Sequence, residues 1–223
     1  MKRAFAWSFS ALDVFEVCRK KYYHLKVKKD VKDADSTASQ DGKFIHDAMK
    51  KRVIDGVPLP IKLRQHEKLA KRFADSKGEK HGEMQLALNK KFEPRDWFAK
   101  DVWVRAILDL LIVRGTTAVL VDWKTGKRKE RYDQLRLAAA VLSRYMPEIE
   151  EFVLVFVWLK DGEVSDPVTI KKSEMRSVWI EFLPRVKEIT DAIKTTTFPA
   201  TESGLCGWCP VTSCPHWFDR SER

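Results

Sequence analysis

The residues best suited to chemistry are Asp122 and Lys124, which stand two positions apart at the end of the apolar run 118–121. Buried acids and lysines are rarely tolerated without a partner or a chemical role. A plainer interpretation is a strand that ends in a polar turn at Thr125 and Gly126. The tripeptide alone does not decide, because the same spacing occurs at Asp30/Lys32, Asp41/Lys43 and Asp75/Lys77.

A second acid, Asp109, lies inside the preceding apolar run AILDLLIV. Because strand side chains alternate, Asp122 and Lys124 share one face, and a turn at Gly115 would bring Asp109 beside Asp122. Two such carboxylates repel each other unless a cation lies between them, and Mg²⁺ or Mn²⁺ prefers oxygen ligands. A nearby lysine can hold an attacking water and help to deprotonate it. The structural alternative is a buried salt bridge from Asp109 to Arg105 or Lys124.

Three of the four cysteines, Cys206, Cys209 and Cys214, form the pattern C-x2-C-x4-C near the C-terminus. Thiolates at such spacing can point at one metal, and the missing ligand would be Cys18 or His216. Taken alone, Cys18 could equally be a small buried hydrophobe on the apolar stripe of its helix. Spacing does not distinguish zinc from an iron–sulfur cluster, while disulfides are improbable in a cytosolic setting.

The net charge of +10 is concentrated in two basic segments. Such segments favour a polyanion, most often nucleic acid, over a merely solvated basic face. The candidate contacts are Lys20, Lys21, Lys127, Arg128 and Arg131. No apolar run is long enough to cross a membrane, and the N-terminus lacks the pattern of a signal peptide, so we expect a cytoplasmic protein with no membrane partner.

The pattern of apolar residues predicts elements that position these groups. Ser10-Ala-Leu-Asp13 resembles a capping box that begins a helix to about Val27. Further helices are predicted at about 42–55, 61–77, 133–145 and 173–194, with a loop at 28–40. Strands are predicted from about Met84 and at 102–113, 118–124 and 152–159. The order predicts a mixed α/β fold.

The pattern from ILD at Asp109 to VDWKTGK at 121–127 resembles the PD-(D/E)XK nuclease superfamily, in particular its RecB-like exonuclease branch. The resemblance implies a restriction-endonuclease-like core, in which a mixed central sheet is flanked by helices, as a single domain over 1–223. It further implies that Asp109 and Asp122 ligate Mg²⁺ or Mn²⁺ and that Lys124 serves the water. The carbonyl of Trp123 would also face the metal.

Three further positions match that branch. His46 in GKFIHDAM fits its helical G-x-x-x-H motif, whose histidine ligates the metal, although a helical histidine is otherwise more often a surface or core residue. Gln134 fits the glutamine of a Q-x-x-x-Y helix that orients substrate or active-site groups, with Ala138 in place of the tyrosine. Glu83 stands where relatives often carry glutamate; without the resemblance it would be a strand-edge acid.

The segment from Ser8 to Cys18 resembles the helix S-x-S-x-L-x-x-F-x-x-C of CRISPR-adaptation nucleases and of the AddB subunit of helicase–nucleases. Those proteins bind a [4Fe-4S] cluster through one N-terminal cysteine and a C-terminal trio. The resemblance therefore implies an iron–sulfur subregion that joins the first helix to the tail at 198–218, with Zn²⁺ as the alternative. Its ligands would be Cys18, Cys206, Cys209 and Cys214.

Together these features predict a metal-dependent DNA exonuclease that hydrolyses phosphodiester bonds in single-stranded DNA or at DNA ends. The settings that this implies are recombination, repair, phage DNA processing or CRISPR adaptation, in the cytoplasm of a bacterial, archaeal or phage-infected cell. One alternative is a non-cleaving nucleic-acid-binding module with a structural zinc or iron–sulfur site. Another is a nuclease subunit that is active only in a larger complex.

Overall fold

The computed structural model describes residues 5–33, 37–129 and 131–220, and of residues 37–39 the backbone only. Contacts divide the chain into two compact units. The first unit contains Phe5, Ala6 and Thr37–Ile180, and the second contains the described parts of Trp7–Ser36 and Glu181–Arg223. That both belong to a single nuclease domain over 1–223 stays a prediction.

After a short first strand, the chain forms a group of helices, then strands with one helix inserted among them, then a final long helix, which is the order that the sequence predicts. The α-helices of the described residues are α1 (Phe9–Val17), α2 (Arg19–Tyr22), α3 (Thr37–Ile54), α4 (Glu67–Ala74), α5 (Asp133–Leu142) and α6 (Met175–Thr195). The strands are β1 (Trp7–Ser8), β2 (Glu79–Leu88), β3 (Val104–Arg114), β4 (Thr117–Lys124), β5 (Glu151–Trp158), β6 (Glu163–Val164) and β7 (Val168–Lys171). The predicted α/β fold is confirmed. None of the described helices has the length and apolarity that a membrane span requires.

The sheet of the first unit is mixed. Strands β2, β3 and β4 form an antiparallel meander, and β4 then pairs with β5 in parallel. A parallel pair requires a crossover connection, which α5 supplies. Strands β6 and β7 both pair antiparallel with β5. This arrangement of a mixed sheet with flanking helices is consistent with a restriction-endonuclease-like core.

Helices lie on both faces of this sheet. On one face, Val121 and Trp123 of β4 belong to a buried apolar cluster with Met49 of α3 and Phe73 of α4. The rings of Phe73 and Trp123 meet edge to face at 5.1 Å. Because strand side chains alternate, Asp122 faces the opposite side. Helix α5 contacts β2 to β5 and buries its apolar side chains.

Several predicted boundaries are wrong. The first predicted helix breaks at Cys18, whose backbone is extended (φ −159°, ψ 112°). The N-cap is Ser8 rather than Ser10, and its side chain accepts a 3.3 Å hydrogen bond from the backbone of Ala11. Helix α3 begins at Thr37, inside the predicted loop; residues 34–36 of that loop lie outside the described residues.

The second unit is held together by aromatic packing. Trp7 stacks on Phe182 with ring centroids 6.2 Å apart. Phe15 of α1 meets Tyr22 of α2 edge to face at 5.2 Å, across the break at Cys18. The break therefore bends the chain without separating the two short helices.

Candidate active site

The candidate active site forms where β3 and β4 stop pairing. Their antiparallel pairing extends only to Leu110 and Val121, although both strands continue beyond these residues. Asp109 and Asp122 come next on the two strands, so they stand at the opening of a fork. The backbone N–H of Trp123 donates a 2.9 Å hydrogen bond to Oδ2 of Asp109, which links the two arms of the fork.

Asp122 is the buried acid of the fork, with 4% of its surface exposed. Burial first, and the charge of Asp109 second, raise its pKa to about 6 against the opposing effects of Lys124 and His46. Nζ of Lys124 lies 2.7 Å from Oδ2 of Asp122. Apart from this ion pair, that buried oxygen has no hydrogen-bond partner among the described residues. A buried, incompletely satisfied carboxylate oxygen is therefore available to a cation.

His46 reaches the fork from α3. Its Nδ1 lies 3.4 Å from Oδ1 of Asp109. Burial is the largest single influence and lowers the pKa of His46, but Asp109 and Asp122 together raise it above its ordinary value. At Gly42, earlier in α3, a Cβ would lie 3.6 Å from Oγ1 of Thr125, so the start of the helix contacts the turn that follows β4.

Gln134 of α5 reaches the lysine of the fork. Nζ of Lys124 donates a 3.2 Å hydrogen bond to Oε1 of Gln134. The same ammonium lies 5.4 Å from the ring centroid of Phe156 on β5. Ala138, which replaces the tyrosine of the family motif, is buried. Lys124 is thus positioned by Asp122 and by Gln134.

A third acid, Glu83, lies on β2 next to the fork. Gly82 pairs with Leu110 and Met84 with Leu108, which places Glu83 opposite Asp109. Glu83 has φ +50°, in the left-handed region that a glutamate rarely adopts.

The carboxylate of Glu83 is directed to α3, where Lys50 donates a 2.8 Å hydrogen bond to it. This hydrogen bond raises the pKa of Lys50. The ion pair lies one helical turn beyond His46. Lys50 was not identified from the sequence. No local sequence pattern indicates the positive φ of Glu83.

The chemistry of these donors suits a hard divalent cation. Asp109 and Asp122 supply carboxylate oxygens and His46 an imidazole nitrogen, a donor set compatible with Mg²⁺ or Mn²⁺. Within the described residues, no three histidine, cysteine or acidic side chains are arranged to hold a metal ion. In the fork the positive charge beside Asp122 is instead the ammonium of Lys124.

The basic segment after β4 presents exposed cations. Lys127 and Arg131 are exposed. Arg128 forms a 2.7 Å ion pair with Glu163, and its guanidinium lies 4.5 Å from the ring centroid of Trp158. The remaining two candidate contacts, Lys20 and Lys21, belong to the second unit.

All four cysteines line one cavity of about 170 Å³ in the second unit, and none of them forms a disulfide. Lys20 and Lys21 line the same cavity, and Lys21 also pairs with Asp33 at 3.0 Å. His216, the alternative fourth ligand, is not among the lining residues and lies 3.5 Å from Glu202.

Backbone N–H groups point at two of the four sulfur atoms. Sγ of Cys18 accepts 3.5 Å hydrogen bonds from Lys21 and Thr201, and Sγ of Cys206 accepts one of 3.3 Å from Ser203. Burial raises the pKa of the Cys209 thiol, against a hydrogen bond from the backbone of Val211 and the charge of Lys21, which lower it. The four thiols therefore surround one space, although in the described part of the chain no three are close enough for a single ion.

Comparisons with known proteins place these features in a family. None of the curated proteins compared with the chain matches it. The fold is similar to that of a candidate exonuclease from Eubacterium rectale, with a TM-score of 0.54 and 14% identity over 91% of this chain and 86% of that one. The solved structure of SSO0001 has a TM-score of 0.48 and 14% identity over 98% and 90% of the two chains. A model of the PD-(D/E)XK nuclease superfamily matches residues 59–215, a range that includes Asp109, Asp122, Lys124 and Gln134. The chain belongs to the PD-(D/E)XK nuclease superfamily.

Proposed function

We propose that this nuclease is a metal-dependent deoxyribonuclease that hydrolyses phosphodiester bonds in single-stranded DNA or at DNA ends. The observation that carries the proposal is the buried Asp122 at the fork, beside Asp109 and in contact with Lys124. Membership of the superfamily supports nuclease activity. The similar fold of a candidate exonuclease from Eubacterium rectale supports the exonuclease assignment.

The proposed metal ligands are Asp109, Asp122 and His46, with the carbonyl of Trp123 as a further donor. When bound, Mg²⁺ or Mn²⁺ supplies charge stabilisation to the phosphate and lowers the pKa of a bound water. Because the pKa of Asp122 is raised only to about 6, its carboxylate is ionised at neutral pH and available as a ligand.

Lys124 is proposed to orient the attacking water and to assist its deprotonation. Its ammonium is held by Asp122 at 2.7 Å and by Gln134 at 3.2 Å, so it has few orientations to lose on substrate binding. Gln134 therefore acts as a positioning residue. The basic residues would attract the phosphate backbone of DNA electrostatically; they are Lys20, Lys21, Lys127, Arg128 and Arg131.

For the cysteine cavity we propose a [4Fe-4S] cluster as a structural cofactor. Support comes from the four thiols around one cavity of about 170 Å³ and from backbone N–H groups directed at Cys18 and Cys206. Hydrogen bonds to the sulfur atoms are one of the means by which a protein tunes an iron–sulfur cluster. Zn²⁺ is the alternative metal, because four thiolates also satisfy its tetrahedral coordination.

A cluster at this place would join the first helix to the tail at 198–218. The roles in recombination, repair, phage DNA processing or CRISPR adaptation, and a cytoplasmic location, are proposals that rest on the family resemblance. The alternative is a nuclease subunit that is active only within a larger complex. The proposed roles of the active-site residues would be the same in that case.

The decisive experiment is digestion of end-labelled single- and double-stranded DNA with Mg²⁺, with Mn²⁺ or with EDTA. We expect cleavage with either metal and none with EDTA. Asp122→Asn should abolish cleavage, and Asp161→Asn, at an exposed aspartate, should not. A parent protein that binds DNA but never cleaves it would instead identify a binding module, and an active Asp122→Asn variant would refute the site.

A further inference from the structure

An exposed apolar surface lies beside the proposed metal site, on the same arm of the fork. Ile107 of β3 is 47% exposed, although β3 lies inside the sheet between β2 and β4. It precedes Asp109 by two residues, so the two side chains share a face and their Cα atoms are about 7 Å apart. The cross-strand partner of Ile107, Gln85, is also exposed.

Arg105 continues this surface, two residues further along the same face. Its guanidinium lies 5.3 Å from the ring centroid of Trp97, and its Nε donates a 3.0 Å hydrogen bond to the carbonyl of Trp97. These contacts fasten the segment before β3 to the strand. The next residue of that segment, Phe98, is 76% exposed.

The side chains of Trp97, Phe98, Arg105 and Ile107 define what we call the β3 surface. It combines an exposed aromatic ring, an exposed aliphatic side chain and a cation held against a second ring. Large exposed apolar patches, especially with polar residues around them, mark interaction sites or ligand-binding grooves. Aromatic rings with a neighbouring positive charge suit nucleotides. The base stacks on the ring, and the phosphate is attracted by the cation.

We propose that the β3 surface binds unpaired bases adjacent to the phosphate that is cut, which makes single-stranded nucleic acid or a frayed end the substrate. The inference rests on the proposed function, because it assumes that this phosphate is held at Asp109 and Asp122. Bases inside a duplex are stacked on each other and offer no face to Phe98 or Ile107. The surface therefore selects for strand separation at the site, and its nearest member, Ile107, lies two residues from Asp109 on the same strand.

Binding without cleavage tests the proposal independently of activity. In EDTA, fluorescence anisotropy would measure the affinity for a labelled single strand and for a blunt hairpin duplex. We expect Phe98→Ala and Ile107→Ala each to weaken single-strand binding about tenfold and to leave duplex binding unchanged. Phe98→Tyr, which keeps the ring, should bind like the parent. The control is Ile61→Ala, at a residue that is 78% exposed and not on the sheet.

An abasic scan then locates the contact. Removal of one base at a time should weaken parent binding most at a single position next to the cleavage point, and this sensitivity should vanish in Phe98→Ala. An equal loss for single strand and duplex would overturn the proposal, as would variants that change only the oligomeric state. Because affinity is measured without metal, selective single-strand binding by a protein that never cleaves would refute the proposed function and leave the surface standing.

Discussion

The backbone N–H of Trp123 donates a 2.9 Å hydrogen bond to Oδ2 of Asp109, so the acid of one strand is held by the backbone of the other. The contact fixes Asp109 next to Asp122 and prevents the two carboxylates from relieving their repulsion by side-chain rotation alone. The raised pKa of Asp122 reflects burial first and, after burial, this repulsion. A divalent cation would remove it, which connects metal binding to the stability of the fork.

The substitution Asp122→Asn should stabilise the metal-free protein while it abolishes cleavage. The folded-state pKa of Asp122 is about 6, above its ordinary value of 3.8, so ionisation of this acid opposes folding and parent stability falls as the pH rises between these values. An amide has no such charge, and we expect a gain of about 1–2 kcal/mol at about pH 8, after allowance for the lost attraction of Lys124. Urea denaturation in EDTA measures it. The gain in stability should vanish at about pH 3, where the acid is protonated in both states. A variant less stable than the parent at both pH values would contradict the raised pKa of Asp122.

Metal affinity should rise with pH through the range in which Asp122 and His46 lose their protons. The pKa of Asp122 is about 6, and that of His46 lies above its ordinary 6.5, so a metal must displace protons from both in mildly acidic solution. Calorimetric titration with Mn²⁺ in two buffers of different ionisation enthalpy would report proton release. His46→Ala should weaken Mn²⁺ binding at least about tenfold. It should also remove the rise in affinity above about pH 6.5, which comes from deprotonation of His46. Affinity that does not vary with pH would exclude these ligands.

Gln134→Leu should lower kcat with little change in KM, because it removes a group that positions Lys124 and does not bind substrate. We expect a fall of about tenfold, against about 10²–10⁴ for Lys124→Met. Since the two residues act together, the double variant should be no slower than Lys124→Met alone. Additive losses in single-turnover assays would show that Gln134 acts independently of the lysine.

The cysteine cavity predicts a coloured protein. An anaerobic preparation should be brown, with broad visible absorbance, and Cys209→Ser should lose both the colour and part of the thermal stability. Ser213→Ala, at an exposed serine next to Cys214, is the matched control and should keep both. A colourless parent that contains stoichiometric zinc would refute the cluster.

Gly82→Ala should disturb the metal site from a distance. A Cβ at Gly82 would lie 2.8 Å from Cγ of Lys50 and 3.0 Å from Cγ1 of Ile54, so α3 would have to move away from β2. Because α3 also carries His46, we expect a loss of about 1–3 kcal/mol in stability and a higher Mn²⁺ requirement. Adding Lys50→Ala removes the closer contact and should restore part of the stability. Unchanged thermal and metal titrations would show that the helix adapts without displacement.

Periodicity alone was enough to predict the strands that carry Asp109 and Asp122, because alternation and a short turn determine which residues share a face. The contact between Lys124 and Gln134 depends on how α5 crosses the sheet, and it was anticipated only through the family motif. The helix break at Cys18 escaped prediction because it depends on the tail that surrounds this residue. The sequence did not predict the exposure of Ile107, because an apolar residue within a strand is ordinarily buried.

The hairpin of β3 and β4 has a consequence for folding. It turns at Gly115, where φ is +56°, so the two acids are neighbours through a local connection. Closing so short a loop costs little entropy, whereas the parallel pairing of β4 with β5 must wait for the crossover through α5. We therefore expect Asp109 and Asp122 to approach each other, with Lys124 of the same hairpin nearby, before His46 of α3 is in place. We expect their repulsion to slow hairpin closure at neutral pH, so that a divalent cation would accelerate refolding as well as catalysis.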